Sequence, residues 1–281
     1  MLTKNINFKN FNKKFNNKKL KKYLKNILSE NNEILKSLTS NYKYQYDNYL
    51  IKKLKNEKAF SVIGMGGSII GVQAIHDFLK HKIKKKINFY DNLESNLKIN
   101  KKTTNIIISK SGNTLETISN ANILIKKNEK NIFITESKNS YLRSLALKLK
   151  AEVINHNNFI GGRYSVMSEV GMLPAELMGL NESKFKQLNN LIKNKNFINL
   201  LLSNVSSTLF FIKNKKFNSI ILNYDNSSDN LFRWYQQLIA ESLGKKGKGI
   251  LPIISSMPKD NHSVMQFYLD GPKNNFFTFF H

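Results

Sequence analysis

The chain contains no cysteine, four prolines and a single tryptophan among its 281 residues. The absence of cysteine excludes disulfides, thiolate zinc sites and a cysteine nucleophile. No run reaches the roughly 18 apolar residues that a membrane-spanning helix requires. The N-terminal residues are basic but lack the apolar core of a secretory signal. We therefore expect a soluble, cytoplasmic protein without a membrane partner.

Acidic residues and arginine are also scarce, so lysine carries most of the charge. The formal net charge is +26, with 45 Lys and Arg residues against 19 Asp and Glu residues. The lysines are scattered among Asn and Ile, without a basic stripe that contains interleaved aromatic residues. We therefore expect solvated lysine faces and no specific nucleic-acid partner. Arginine occurs only at Arg143, Arg163 and Arg233, which hints that its planar guanidinium is needed there.

Short β-branched runs alternate with helical patterns from Ala59 onwards. This alternation predicts an α/β fold with a parallel sheet covered by helices on both faces, and with ligands beyond the carboxyl ends of the strands. The predicted strands are 59–63, 87–90, 103–108, 131–135 and 152–154, followed by 219–223 and 250–254 in a second unit. We expect a helical N-terminal arm (1–56), a first α/β domain (57–180) and linker helices leading into a second domain (181–281).

The segment Ser109–Thr117 joins a predicted buried strand to a predicted helix through a turn rich in hydroxyl groups. Gly112 allows the backbone to approach a ligand, and Asn113 or Thr114 can cap the helix. Backbone N–H groups at a helix start, hydroxyls and the Lys110 ammonium are suitable donors for a phosphate dianion. The alternative is an ordinary capped turn. The Gly-Lys-Ser/Thr ending of a nucleotide P-loop is absent, which favours a small phosphorylated metabolite over ATP.

Two glycine-rich turns are further candidates for ligand contacts. The Gly-Met-Gly-Gly-Ser turn at 64–68 follows a strand, as a phosphate cradle does, but it departs from the spacing of a dinucleotide fingerprint. A turn needed only for close packing is the alternative. The Gly-Gly-Arg-Tyr-Ser turn at 161–165 carries Arg163. Because arginine is scarce, we favour a ligand contact over a structural ion pair for this side chain.

Three residues in the last quarter of the chain are candidates for acid–base chemistry and its support. Gln237 and Glu241 are four residues apart and so share one face of a predicted helix. Glu241 is a candidate general base, and a surface carboxylate paired with Lys245 is the alternative. His262 is predicted to lie near the start of another helix, where it is either functional or merely exposed. The remaining histidines show no spacing typical of a metal site.

These motifs follow one another in the order found in the phosphoglucose isomerase family, which the chain closely resembles from about residue 59 to its end. The matching segments are 64–68, 109–117, 161–165, 237–245 and 262–263. The resemblance implies two sugar-isomerase-type domains, each a three-layer α/β/α arrangement around a five-stranded parallel sheet. It also implies a homodimer that interconverts glucose 6-phosphate and fructose 6-phosphate in glycolysis and gluconeogenesis, with no metal and no organic cofactor.

The resemblance further implies roles for individual residues. Glu241 would move a proton between C2 and C1 through a cis-enediol, His262 would assist ring opening, and Arg163 would stabilise charge on the enediolate oxygens. The residues expected to bind substrate are Gly67, Ser68, Ser109, Lys110, Ser111, Gly112, Asn113, Thr114, Thr117 and Gln237.

Two other functions remain open. One is dual phosphoglucose/phosphomannose isomerisation, and the other is a non-catalytic sugar-phosphate sensor, against which the presence of Glu241 and His262 argues. Family members also continue past the point that matches His281, adding a strand, helices and a Gly-Lys motif. We therefore expect an incomplete second domain and a 281-residue chain that is a fragment or needs a second polypeptide. The aromatic segment 275–281 is predicted to be a buried strand, and leaving it uncovered would lower solubility and activity.

Overall fold

The computed structural model of the chain describes residues 17–94 and 103–281. They divide into two compact units. The first unit is Asn41–Phe185, and the second unit is Lys186–His281 together with the described residues up to Ser40. Residues 41–56 therefore group with the first sheet, whereas the sequence places them in an N-terminal arm. The helical prediction for residues 4–16 lies outside the described residues.

The helices alternate with the strands from Ala59 onwards, as the sequence predicts. Those described are α1 (Asn17–Ser29), α2 (Glu33–Ser37), α3 (Asn48–Leu54), α4 (Ile70–Phe78), α5 (Leu115–Leu124), α6 (Tyr141–Leu149), α7 (Glu169–Leu177), α8 (Leu188–Lys193), α9 (Lys195–Lys213), α10 (Asp229–Leu243) and α11 (Met265–Asp270). Within residues 17–94 and 103–281, no helix is both long enough and apolar enough to cross a membrane.

The first unit contains the parallel sheet that the sequence predicts. Its strands are β1 (Ala59–Gly64), β2 (Lys86–Tyr90), β3 (Thr104–Ile108), β4 (Asn131–Thr135) and β5 (Glu152–Asn155). Their order is β2-β1-β3-β4-β5, and every pair of neighbours is parallel. The expectation of a five-stranded parallel sheet flanked by helices is confirmed for this unit.

Helices cover both faces of this sheet, which explains the uninterrupted apolar strands. Every residue of β3 and β4 is buried. Ile106 and Ile108 pack on one face with Leu173 of α7, whereas Ile107 packs on the other with Leu142 of α6. Burying one such side chain contributes roughly 1.5–3 kcal/mol, so packing on both faces fixes the register. The carboxyl ends of the strands are thereby held at one edge.

The second unit contains a smaller parallel sheet. It consists of β6 (Asn218–Asn223), β7 (Leu251–Ser256) and β8 (Asn275–Phe280), in the order β7-β6-β8. β8 confirms the predicted terminal strand, but only part of it is buried. Phe276 is 7% exposed and stacks on Phe211, whereas Phe277 and Phe279 are 40% and 66% exposed. Phe277 and Phe279 are two residues apart and so lie on one face of β8, which the described residues cover only in part.

Candidate active site

The segment Ser109–Thr114 follows β3 and leads into α5. It is called the phosphate loop below, after the ligand that the sequence predicts for it. The turn at 64–68 follows the neighbouring strand β1, and Gly64 pairs with Ile108 in the parallel register. The two segments therefore leave the sheet side by side at its carboxyl edge. This is where ligands bind in open parallel α/β sheets.

Internal hydrogen bonds hold the phosphate loop in a tight turn. The Gly112 N–H donates to the backbone oxygen and to Oγ of Ser109, at 3.1 and 3.2 Å. The Ser109 and Thr114 hydroxyls are joined at 2.9 Å. Gly112 adopts φ +66°, and a Cβ added there would lie 2.2 Å from Oγ of Ser140. The loop therefore requires glycine here both for its backbone conformation and for space.

Of the two residues that the sequence offers as the cap of α5, Thr114 occupies the N-cap position, but its side chain makes no capping hydrogen bond. The Asn113 Oδ1 atom instead accepts from the backbone N–H of Tyr141, the first residue of α6, at 2.9 Å. Neither side chain therefore bonds to the first N–H groups of α5, where these donors and the helix dipole favour an anion.

The predicted phosphate ligands differ in how accessible they are. Ser111 and Asn113 are exposed on the loop, Thr114 is half-buried, and the Lys110 side chain is 29% exposed. Thr117 lies one turn into α5 and is 1% exposed, and its hydroxyl has no hydrogen-bond partner among the described residues. The structure thus leaves Lys110, Ser111, Asn113 and Thr114 at least partly accessible and encloses Thr117.

The glycine turn and the arginine turn, which are about 100 residues apart in the sequence, pack backbone against backbone. Both form 3₁₀ turns, at Gly66–Ser68 and Gly162–Met167. A Cβ added to Gly67 would lie 2.5 Å from the backbone nitrogen of Arg163. The Arg163 guanidinium lies 4.7 Å from the centre of the Tyr164 ring, within cation–π range. Gly67 and Arg163 are therefore neighbours, and Ser68 is carried on the same turn.

Gly67→Ala is expected to destabilise the first unit by roughly 1–3 kcal/mol, because backbone atoms must shift to admit the methyl group. Gly161→Ala is the matched control, since the nearest atom to its added Cβ is Cδ2 of Tyr164 at 3.5 Å, an ordinary contact. Urea unfolding of both variants measures the difference. Equal stability of the two variants would contradict the close packing of these turns.

Gln237 and Glu241 belong to the second unit and lie on one face of α10, as the sequence predicts. Gln237 Nε2 donates to Glu241 Oε2 at 3.3 Å. Gln237 Oε1 is buried and has no partner among the described residues, whereas Glu241 is exposed. The amide therefore holds the carboxylate at the end of α10 while leaving it accessible.

His262 lies close before the start of a helix, as the sequence predicts. It ends a 3₁₀ turn, Lys259–His262, and α11 starts only at Met265. Asp260 holds this turn by accepting from the Ser255 hydroxyl and the Ser256 N–H, both at 2.9 Å, and from the Ser263 hydroxyl at 3.1 Å. Burial alone would raise the pKa of Asp260, but these hydrogen bonds outweigh it and hold the pKa below its usual range.

The sequence analysis missed Asp260, and it also missed Glu136 beside the phosphate loop. Both are acidic residues close behind the carboxyl end of a parallel strand, and that position is the signal that could have identified them. In the described ranges, 17–94 and 103–281, no group of three or more His, Asp or Glu side chains is arranged to hold a metal ion.

Solved structures place the chain in the class of sugar-isomerase folds. A hypothetical protein from Thermus thermophilus matches with a TM-score of 0.70 and 20% identity, over 94% of this chain and 69% of that one. Tagatose-6-phosphate ketose/aldose isomerase from Escherichia coli matches with a TM-score of 0.57 and 15% identity, over 83% and 64%. At these identities the likeness establishes the fold.

The chain belongs to the phosphoglucose isomerase family, whose model matches residues 16–250. It is 36% identical to glucose-6-phosphate isomerase from Methanocaldococcus jannaschii, over 85% of this chain and 63% of that protein. It is 30% identical to the enzyme from Mycoplasma capricolum, over 83% and 61%. The chain thus spans somewhat less than two thirds of the length of these relatives.

Proposed function

We propose that the full-length protein is an aldose–ketose isomerase that interconverts glucose 6-phosphate and fructose 6-phosphate. The observation that carries this proposal is the phosphate loop. The exposed Ser111 hydroxyl, the half-buried Thr114 hydroxyl, the start of α5 without a side-chain cap and the Lys110 ammonium form an anion site suited to a small phosphorylated sugar. Membership of the family supports a hexose 6-phosphate as this sugar.

The proposed chemistry is a proton transfer between adjacent carbons. His262 assists opening of the sugar ring. Glu241 removes the proton from C2 of the open aldose, the electron pair forms the C1–C2 double bond, and O1 takes up a proton as the C1=O bond opens, which gives a cis-enediol. The same carboxyl then returns a proton to C1 while O2 loses its proton and the C2=O bond forms, which yields the ketose.

Two further residues support this reaction in the proposal. Arg163 stabilises the negative charge that develops on the enediolate oxygens, since its planar guanidinium can donate two parallel hydrogen bonds. Gln237 lines the sugar site and orients Glu241, and their contact on α10 supports this role. Because the chemistry needs only protons and fixed charges, no metal and no organic cofactor enters it.

The biological setting is part of the same proposal. We place the protein in the cytoplasm, as a homodimer that acts in glycolysis and gluconeogenesis and has no specific nucleic-acid or membrane partner. The support for this setting is membership of the family.

A coupled assay of glucose 6-phosphate formation from fructose 6-phosphate tests the proposed activity on the full-length protein. We expect turnover with fructose 6-phosphate and none with fructose, because fructose lacks the phosphate that the loop binds. Binding of the sugar phosphate without turnover would instead support a sensor. Consumption of mannose 6-phosphate at a comparable rate would indicate the dual isomerase.

A further inference from the structure

The carboxylate of Glu136, which directly follows β4, contacts the lysine of the phosphate loop. Its Oε1 lies 3.5 Å from Nζ of Lys110, and its Oε2 lies 2.6 Å from Nζ of Lys138. The backbone N–H of Glu136 also donates to the backbone oxygen of Lys110, at 3.1 Å. Glu136 thus holds Lys110 through both its main chain and its side chain.

Glu136 is buried and nevertheless keeps its charge. Its side chain is 6% exposed. Burial alone would raise the pKa of this carboxyl, but the hydrogen bond from Lys138 and the positive charge of Lys110 outweigh burial and hold the pKa below its usual range. Lys138 is 68% exposed and lies outside the phosphate loop. The buried carboxylate therefore remains an anion beside a loop that is itself suited to an anion.

A second acceptor fixes the Lys110 ammonium from another direction. Lys110 Nζ donates to the backbone oxygen of Asn158 at 2.9 Å. The segment that carries this oxygen is anchored by Glu169, which is fully buried and accepts from the Asn157 N–H at 2.7 Å and from the Tyr42 hydroxyl at 2.9 Å. Both acceptors of the ammonium are therefore built into the body of the first unit.

We propose that Glu136 is a positioning residue for phosphate binding: with the Asn158 carbonyl it holds the Lys110 ammonium beside the loop. An ammonium has three N–H donors. Lys110 donates one hydrogen bond, to the Asn158 carbonyl, and Glu136 attracts the ammonium as an ion pair at 3.5 Å, so donor capacity remains for the phosphate. A free lysine side chain loses rotamer entropy when it is fixed. Because Glu136 and the Asn158 carbonyl fix the Lys110 side chain before the ligand binds, this entropy is not lost on binding. This inference rests on the proposed function, in which the loop receives the phosphate of the sugar.

The sign of the effect of Glu136→Gln distinguishes positioning from simple charge repulsion. If Glu136 only repelled the ligand, removing its charge would tighten phosphate binding. If it positions Lys110, the loss of the ionic contact releases the ammonium and weakens binding. We expect the dissociation constant for inorganic phosphate, measured by calorimetry at fixed ionic strength, to rise about tenfold. Unchanged or tighter binding would overturn the inference.

Glu129→Gln is the matched control. Glu129 is also a partly buried carboxylate next to β4, but it precedes the strand and accepts from Asn105 Nδ2 at 3.0 Å. Its substitution removes the same charge from the same unit at the opposite end of β4. We expect the dissociation constant for phosphate to stay within about twofold of that of the unmodified protein, because this substitution leaves Lys110 in place.

A double-mutant cycle with Lys110→Met tests whether Glu136 acts through Lys110. In that background Glu136→Gln has no ammonium left to release, so no further weakening is expected. The same tenfold loss in both backgrounds would mean a structural role and would overturn the inference. If Glu136→Gln does not fold, Glu136→Asp replaces it. The shorter carboxylate is expected to weaken phosphate binding about threefold, again only when Lys110 is present. If Glu136→Asp does not weaken phosphate binding, the proposal is contradicted.

Steady-state kinetics separates this inference from the proposed function. In an active isomerase, Glu136→Gln is expected to raise KM for fructose 6-phosphate about tenfold with kcat within about twofold, because the reacting carbons are not touched. If no isomerisation occurs but Glu136→Gln weakens phosphate binding only when Lys110 is present, the proposed function fails and the positioning role stands. If isomerisation occurs and Glu136→Gln leaves the dissociation constant for phosphate unchanged, only the positioning role fails.

Discussion

Glu241→Gln is expected to lower kcat of the full-length protein by about 100- to 10,000-fold, the usual effect of losing a general base, or by more because no second group carries this proton. Glutamine keeps the size of the side chain but cannot accept the proton from C2. Sugar-phosphate binding is expected to stay within about threefold, since the phosphate loop is untouched. Steady-state kinetics gives kcat, and calorimetry with glucose 6-phosphate gives the dissociation constant.

Asp270→Asn is a close structural control for this substitution. Gln266 Nε2 donates to Asp270 Oδ2 at 3.3 Å on α11, which repeats the amide–carboxylate spacing of Gln237 and Glu241 on α10. Both carboxylates are exposed and belong to the second unit. The control is expected to leave kcat unchanged. A Glu241→Gln protein with near-normal turnover would show that Glu241 is not the base.

The second large effect is expected at the phosphate loop. Ser111→Ala combined with Thr114→Ala is expected to weaken glucose 6-phosphate binding by a few kcal/mol, since each hydrogen bond to a charged group contributes about 1.5–3 kcal/mol. At about 1.4 kcal/mol per tenfold change, the dissociation constant should rise by roughly two orders of magnitude or more. Binding of unphosphorylated glucose should scarcely change. Parallel calorimetric titrations with the two sugars measure the difference.

Ser183→Ala removes an exposed hydroxyl elsewhere in the first unit, where it donates to Asn181 Oδ1 at 2.6 Å. It is expected to leave both affinities unchanged. If the double variant weakened glucose 6-phosphate and glucose equally, the loop would be a structural turn, which is the alternative that the sequence left open.

The first unit was predictable because its signals are local and strong. β3 and β4 are continuous apolar runs buried on both faces, and their observed bounds lie within one residue of the predicted ones. The tight turn of the phosphate loop was predictable from Gly112 and the hydroxyl groups around it. Gly112 has a positive φ, which other residues adopt only at an energetic cost. The neighbouring turn at 64–68 was located by its glycines in the same way.

The errors arose where a side chain has a partner far along the chain. Asn113 could cap α5 by its position, but it bonds Tyr141 of α6 instead, a partner 28 residues away. Glu136 contacts Lys110 across neighbouring strands, so the spacing of their residue numbers carries no signal for the pair. These contacts exist only after the strands have paired.

Solvent deuterium tests the central claim most directly, namely that this protein moves a proton between C2 and C1 of a hexose 6-phosphate. The full-length protein is incubated with fructose 6-phosphate in D₂O, and the glucose 6-phosphate formed is examined by NMR. The account predicts deuterium at C2, because a proton held on a carboxyl group exchanges with solvent before it is returned to carbon. Failure to form glucose 6-phosphate, or product whose C2 carries only the hydrogen that was on C1 of fructose 6-phosphate, would contradict it.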